Sequence, residues 1–84
     1  MSLIELKKAL KEKDLVMGSR KIIGKLKNDK IKKVFISDNC REDVVRDVEY
    51  YSKIYKVEIY RIKKSNQELG TMCKKPFAIS VLGY

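Results

Sequence analysis

Helical and strand-like spacing alternate four times along this chain, and that alternation is the strongest limit on what it can fold into. Leu3, Leu6 and Leu10 form one apolar stripe at helical spacing, so a first helix is predicted over about Ser2–Lys13, with Ser2 and Glu5 placed as a capping box. Leu15-Val16-Met17 reads as a short strand closed by Gly18. A second helix, Ser19–Asn28, turns Ile22, Ile23 and Leu26 inward. Val34-Phe35-Ile36 is a continuous apolar run, the pattern of a strand covered on both faces. Asp38 and Asn39 begin a turn and are candidate caps for a third helix, Arg41–Tyr55, striped by Val44, Val48, Tyr51 and Tyr55 and widened by Val45. Val57–Ile62 alternates only in part, as an edge strand does. Ser65 with Glu68 opens a fourth helix carrying Leu69, Met72 and Cys73, which Pro76 is expected to end. Phe77–Leu82 completes the pattern as a fourth strand. The order α-β-α-β-α-β-α-β predicts an α/β fold with a central sheet and helices on both faces. Crossovers through helices favour parallel neighbours, and the short Lys74-Lys75-Pro76 connection leaves room for an antiparallel last strand.

Eighty-four residues suit one domain, 1–84, with one modest core and no cleft between domains. The chain has no histidine, which excludes a Ser-His-Asp triad and any histidine-dependent metal or acid–base site. Hydrophobic residues make up 44% of the chain in regular patterns, so it is expected to fold rather than stay disordered. No apolar run approaches the roughly 20 residues of a membrane span, and the early Lys7-Lys8 interrupts anything like a secretory signal. The expected setting is cytoplasmic, with Cys40 and Cys73 as reduced thiols. No metal and no cofactor are expected.

The net charge of +9 points to an anionic partner, and its distribution sharpens the point. Residues 20–33 carry seven Lys and Arg against Asp29, a net +6. Residues 61–84 carry five against Glu68, a net +4, whereas residues 38–60 are net −2. A uniform solubility coat would not be so uneven. The start of the second helix stands out further. Helix N-termini expose backbone N–H groups and favour acids. Glu5, Glu42 and Glu68 supply them in the other three helices, but the second begins Gly18-Ser19-Arg20-Lys21. Cations there cost a few tenths of a kcal/mol each. Beside open N–H groups they suit a phosphate.

Three stretches together resemble the superfamily of ribosomal proteins L-seven-Ae and L-thirty-e, which includes small members that bind kink-turn RNA. They are Val16-Met17-Gly18-Ser19-Arg20-Lys21, Val34-Phe35-Ile36-Ser37-Asp38-Asn39-Cys40, and Ser65-Asn66-Gln67-Glu68-Leu69-Gly70 followed by Cys73 and Pro76-Phe77-Ala78-Ile79-Ser80-Val81. The resemblance implies a three-layer α/β/α sandwich with a mixed four-stranded sheet, its last strand antiparallel and inside. It also implies binding to sharply bent RNA with sheared G·A pairs. The second helix's first turn would enter the groove through Gly18, Ser19, Arg20, Lys21 and Lys25. The loop of Lys74, Lys75, Pro76, Phe77 and Ala78 would cover an extruded base. Many members carry Asn-Glu where this chain has Arg20-Lys21. That glutamate accepts from a guanine's donor edge, and Lys21 can only donate, so it would turn to guanine acceptors or a phosphate. Gly24 stands where a basic residue is common.

The remaining singled-out residues read mostly as structure. Gly70 inside a helix suggests close packing against the sheet. Most of Tyr50, Tyr51, Tyr55 and Tyr60 follow helical or strand spacing, which favours core or core-edge roles over stacking, while Phe77, preceded by basic residues, suits either stacking or the core. The expected function is a non-catalytic, ribosome-associated RNA-binding protein, monomeric when free, whose partner is ribosomal RNA or a riboswitch-type kink-turn. A module whose basic face meets acidic protein is the alternative, and a gel shift with total RNA at low salt separates the two.

Overall fold

The computed structural model describes residues 2–12 and 15–84, without the side chains of residues 2, 3 and 12. The end of the first predicted helix at Lys13 lies outside the described residues, as does the Ser2 half of its capping box. Eight elements follow in the expected order: α1 Ser2–Glu12, β1 Val16–Met17, α2 Ser19–Lys27, β2 Lys33–Ile36, α3 Glu42–Tyr55, β3 Glu58–Arg61, α4 Asn66–Met72 and β4 Val81–Gly83. The strands form one mixed sheet in the order β1-β4-β2-β3. β2 and β3 run parallel, and β4 lies antiparallel to both of its neighbours.

Alternation along the strands sorts the core into two halves. Val34 and Ile36 of β2 and Val81 of β4 face one side, where Ile22 and Leu26 of α2 and Val48 of α3 cover them. Phe35 and Leu82 face the other side, against Leu6 and Ala9 of α1 and Leu69 of α4. Each face of the central strands is therefore buried, which is why Val34-Phe35-Ile36 shows no polar alternation. β3 is the edge strand its mixed pattern suggested, with Glu58 and Arg61 exposed. At the middle of the sheet Gly83 pairs with Val16 on one side and Val34 on the other. A Cβ there would overlap the Lys33 carbonyl and stand 3.2 Å from the Val34 Cα, so the close approach of β4 to β2 requires glycine.

Four expectations need correction. The last strand is three residues long rather than Phe77–Leu82, because residues 77–80 form a loop whose Ile79 N–H donates to the Asn66 carbonyl of α4 (2.9 Å) and not to a strand. The fourth helix ends at Met72, four residues before Pro76, because Lys74 takes a left-handed conformation (φ 58°) that stops the helix first. Asp38 and Asn39 do not cap the third helix: its N-cap is Arg41, with no side-chain bond. Tyr50 is 62% exposed, outside the core and core-edge roles expected of the tyrosines as a group, because it lies off the Val44-Val48-Tyr51-Tyr55 stripe.

The capping box at α4 is as predicted. The Glu68 N–H donates to the Ser65 hydroxyl (3.2 Å), and the Ser65 N–H donates to the Glu68 carboxylate (3.0 Å). That backbone bond holds the Glu68 pKa below its ordinary value. A carboxyl depressed in the folded state stabilises above its unfolded pKa and loses that contribution as pH falls through the folded one. Ser65→Ala should cost about 1 kcal/mol in urea unfolding at pH 7. Glu68→Gln should flatten the acid side of the stability profile, and an unchanged acid limb would show that this bond carries no linkage.

Candidate nucleic-acid interface

The sheet topology gathers four connections at one edge. β1, β2 and β3 run in the same direction and β4 runs against them, so the C-terminal ends of the first three lie beside the start of β4. The Gly18 turn, residues 37–41, residues 62–65 and residues 73–80 therefore share that edge, a position where α/β sheets commonly hold ligands. Hydrogen bonds tie the connections together. The Gly18 N–H donates to the Val81 carbonyl (2.9 Å), and the Ser37 N–H donates to the Ser80 carbonyl (2.9 Å). The first turn of α2 thus sits three residues along from Ala78, and the two basic segments separated by half the chain meet.

On the α2 side, Gly18 is the N-cap with φ 104° and ψ 138°, a conformation that side chains disfavour. No side chain caps this helix and no acid stands in its first turn. Its leading N–H groups are left to solvent or to a ligand. Arg20, Lys21 and Lys25 are exposed, and Lys21 and Lys25 share one helical stripe. Ser19 is half-buried at the turn. On the loop side, Lys74, Lys75, Pro76, Phe77 and Ala78 are all exposed, with Phe77 open to 57%. Phe77 therefore does not enter the core, and its ring is free to stack. Among the described residues, none of Arg20, Lys21, Lys25, Lys74 or Lys75 forms an ion pair, whereas Lys32, Lys33, Arg41 and Lys64 do. These five unpaired cations flank the edge, beside the ion-paired Arg41 and Lys64.

The loop is held in shape from beneath. Lys75 N–H donates to the Gly70 carbonyl (2.9 Å), and Lys74 N–H to that of Thr71 (3.0 Å). A Cβ on Gly70 would overlap the Phe77 carbonyl, so glycine is what lets the loop lie on α4. The side chain of Asn39, read from sequence as a cap for the third helix, reaches α4 instead. Its carbonyl oxygen accepts from the Asn66 N–H (2.9 Å), and its amide donates to the Asn66 side chain (3.0 Å). Asn39 and Asn66 are 27 residues apart, and local spacing carries no sign of the pair; only an asparagine at the end of each connecting segment hints at it.

Catalytic chemistry finds little support here. Burial pushes the thiols of Cys40 and Cys73 up, against the activation a nucleophile needs. The described residues contain no cluster of three or more metal-ligating side chains, and no described helix is long and apolar enough to cross a membrane.

The model of one family, "Ribosomal protein L7Ae/L30e/S12e/Gadd45 family", matches residues 2–84. The chain belongs to this family. Within it, the chain is similar to the large ribosomal subunit protein eL30 of Sulfolobus acidocaldarius, 42% identical over 79 residues that cover 94% of this chain and 76% of that one. The eL30 of Sulfurisphaera tokodaii is also 42% identical, covering 94% and 74%. That of Methanococcus maripaludis is 35% identical over 69 residues, covering 82% and 65%. A solved structure of a protein with unknown function from Bacillus halodurans C matches with a TM-score of 0.79 at 18% identity, over 93% of this chain and 77% of that one. That likeness bears out the L7Ae/L30e-type α/β fold, with the antiparallel last strand inside the sheet.

Proposed function

We propose that this protein is a ribosome-associated, cytoplasmic RNA-binding protein that recognises a sharply bent internal loop and performs no reaction of its own. The observation that carries the reading is the placement of the unpaired Arg20, Lys21 and Lys25 near the unpaired Lys74 and Lys75 at one sheet edge, joined by the Gly18–Val81 hydrogen bond. Two relatives bearing the name of a large ribosomal subunit protein at 42% identity give the RNA its first candidate, ribosomal RNA. In this reading the first turn of α2 enters the groove at sheared G·A pairs. Its open N–H groups and Arg20 meet phosphates, while Lys21 and Lys25 reach phosphates or guanine acceptors. The loop from Lys74 to Ala78 closes over an unstacked base, with the Phe77 ring as its platform.

Gel shifts test this directly. RNA with an internal loop of tandem G·A pairs should bind at least tenfold more tightly than a plain duplex of the same length, and equal affinity would sink the bent-loop part. Contact with about four to six phosphates predicts a loss of roughly 10²–10³-fold between about 50 and 200 mM salt. No shift with any RNA at low salt would favour the acidic-protein partner instead.

A further inference from the structure

A second concave surface lies between α1 and α4, at the end of α4 where the Phe77 loop begins. It is a groove of about 430 Å³ lined by Lys7, Leu10, Lys11, Met72, Cys73 and Lys74. Its size is that of a small-ligand site, typically about 300–1,000 Å³. Leu10, Met72 and Cys73 are half-buried and pack on the second core half, so the floor is apolar. Lys7, Lys11 and Lys74 are exposed at its rim, and no carboxylate is among the described lining residues. Lys7 and Lys11 stand one turn apart on one face of α1 and form no ion pair among the described residues. Like charges at that spacing weaken a helix slightly.

We propose that this groove is a second RNA subsite that takes an unpaired nucleotide flanking the bend, its base on the apolar floor and its phosphates on the three lysines. The proposal rests on the bent-RNA reading above and extends it. Two observations choose this occupant. Three cations with no carboxylate among the described lining residues complement a phosphate chain, and an apolar floor between them suits a nucleobase better than a fully polar strand. Lys74 also makes the groove continuous with the exposed 74–78 loop, so a strand leaving that loop can run on into the groove.

The test uses the full chain and two RNAs, a tandem-G·A internal loop alone and the same loop extended by a short run of unpaired uridines on each end. Iodoacetamide labelling, read by mass spectrometry, follows Cys73 in the groove. Cys40, which lines a separate cavity with Glu42, Arg46 and Glu49, serves as internal reference. The extended RNA should slow alkylation of Cys73 at least threefold and leave Cys40 unchanged. Lys7→Ala with Lys11→Ala should weaken the extended RNA about three- to tenfold, leave the bare loop alone, and flatten the salt slope by roughly 0.7 per lysine removed. If the bare loop binds well, yet Cys73 stays open under the extended RNA and the double variant binds both alike, the groove falls while the bent-RNA reading stands. If neither RNA binds, both fall.

Discussion

Replacing Arg20 and Lys21 together with alanine should weaken binding of a tandem-G·A internal loop by about 100-fold while making the free protein slightly more stable. The two effects have one origin. Both side chains stand at the positive end of α2, where no acid offsets them and no side chain caps the helix. Removing each should return a few tenths of a kcal/mol to the folded state. In the complex the same cations face phosphates or guanine acceptors, and losing two such contacts costs about 3 kcal/mol, since every 1.4 kcal/mol is tenfold. Thermal melting and a filter-binding titration on the same preparation measure both. Weaker binding with a lower melting temperature would mean the pair holds the helix together. Unchanged binding would move the RNA site away from α2.

Gly70→Ala should show the opposite kind of coupling, a loss of both stability and binding from a residue that touches no ligand. On an exposed helix the change would gain about 1 kcal/mol. Here the new methyl would overlap the Phe77 carbonyl and come to 3.0 Å from its carbonyl carbon, both backbone atoms that cannot rotate aside. Overpacking of this kind costs about 1–3 kcal/mol, so a net loss of up to about 2 kcal/mol is expected. At about 4–8 °C per kcal/mol for a chain of this size, the melting temperature should fall by up to about 15 °C. The displaced loop carries Lys74, Lys75 and Phe77, so affinity for the bent RNA should drop about tenfold even at temperatures where the variant is fully folded. An RNA affinity equal to that of the parent would separate the loop from recognition.

The start of α2 was readable because its signal is local. Three helices with an acid in the first turn make the remaining one, with Arg20-Lys21, conspicuous, and the fold then sets that turn at the edge where four connections gather. Element order was readable for the same reason: each apolar stripe or run marks its own helix or strand. The loop beside α2 was not. Phe77–Leu82 is apolar enough for a strand, yet β1 offers only two residues to pair with, and Asn66 takes the Ile79 N–H before the ladder begins. The Asn39–Asn66 bond escaped because nothing in a linear pattern links residues from two different connections. Tyr50 was misplaced through its neighbour: Tyr51 packs on the core, and Tyr50 sits edge-on to it at 5.1 Å between ring centres, out in solvent.

The position of β4 also governs how the protein comes into being. β1 and β2 share no ladder; within the sheet they are joined to each other only through residues 81–83. As the chain is synthesised, α1 with β1 and the β2–β3 pair emerge as two pieces with an empty slot between them. Neither can close the sheet, and the Gly18 turn has no Val81 to hold it. Pairings of such long sequence separation form late and slowly. A chain cut before Val81 would therefore present open strand edges to chaperones and proteases rather than half an RNA site. The Gly18 turn and the 73–80 loop therefore come together only on molecules that have been made through their last strand.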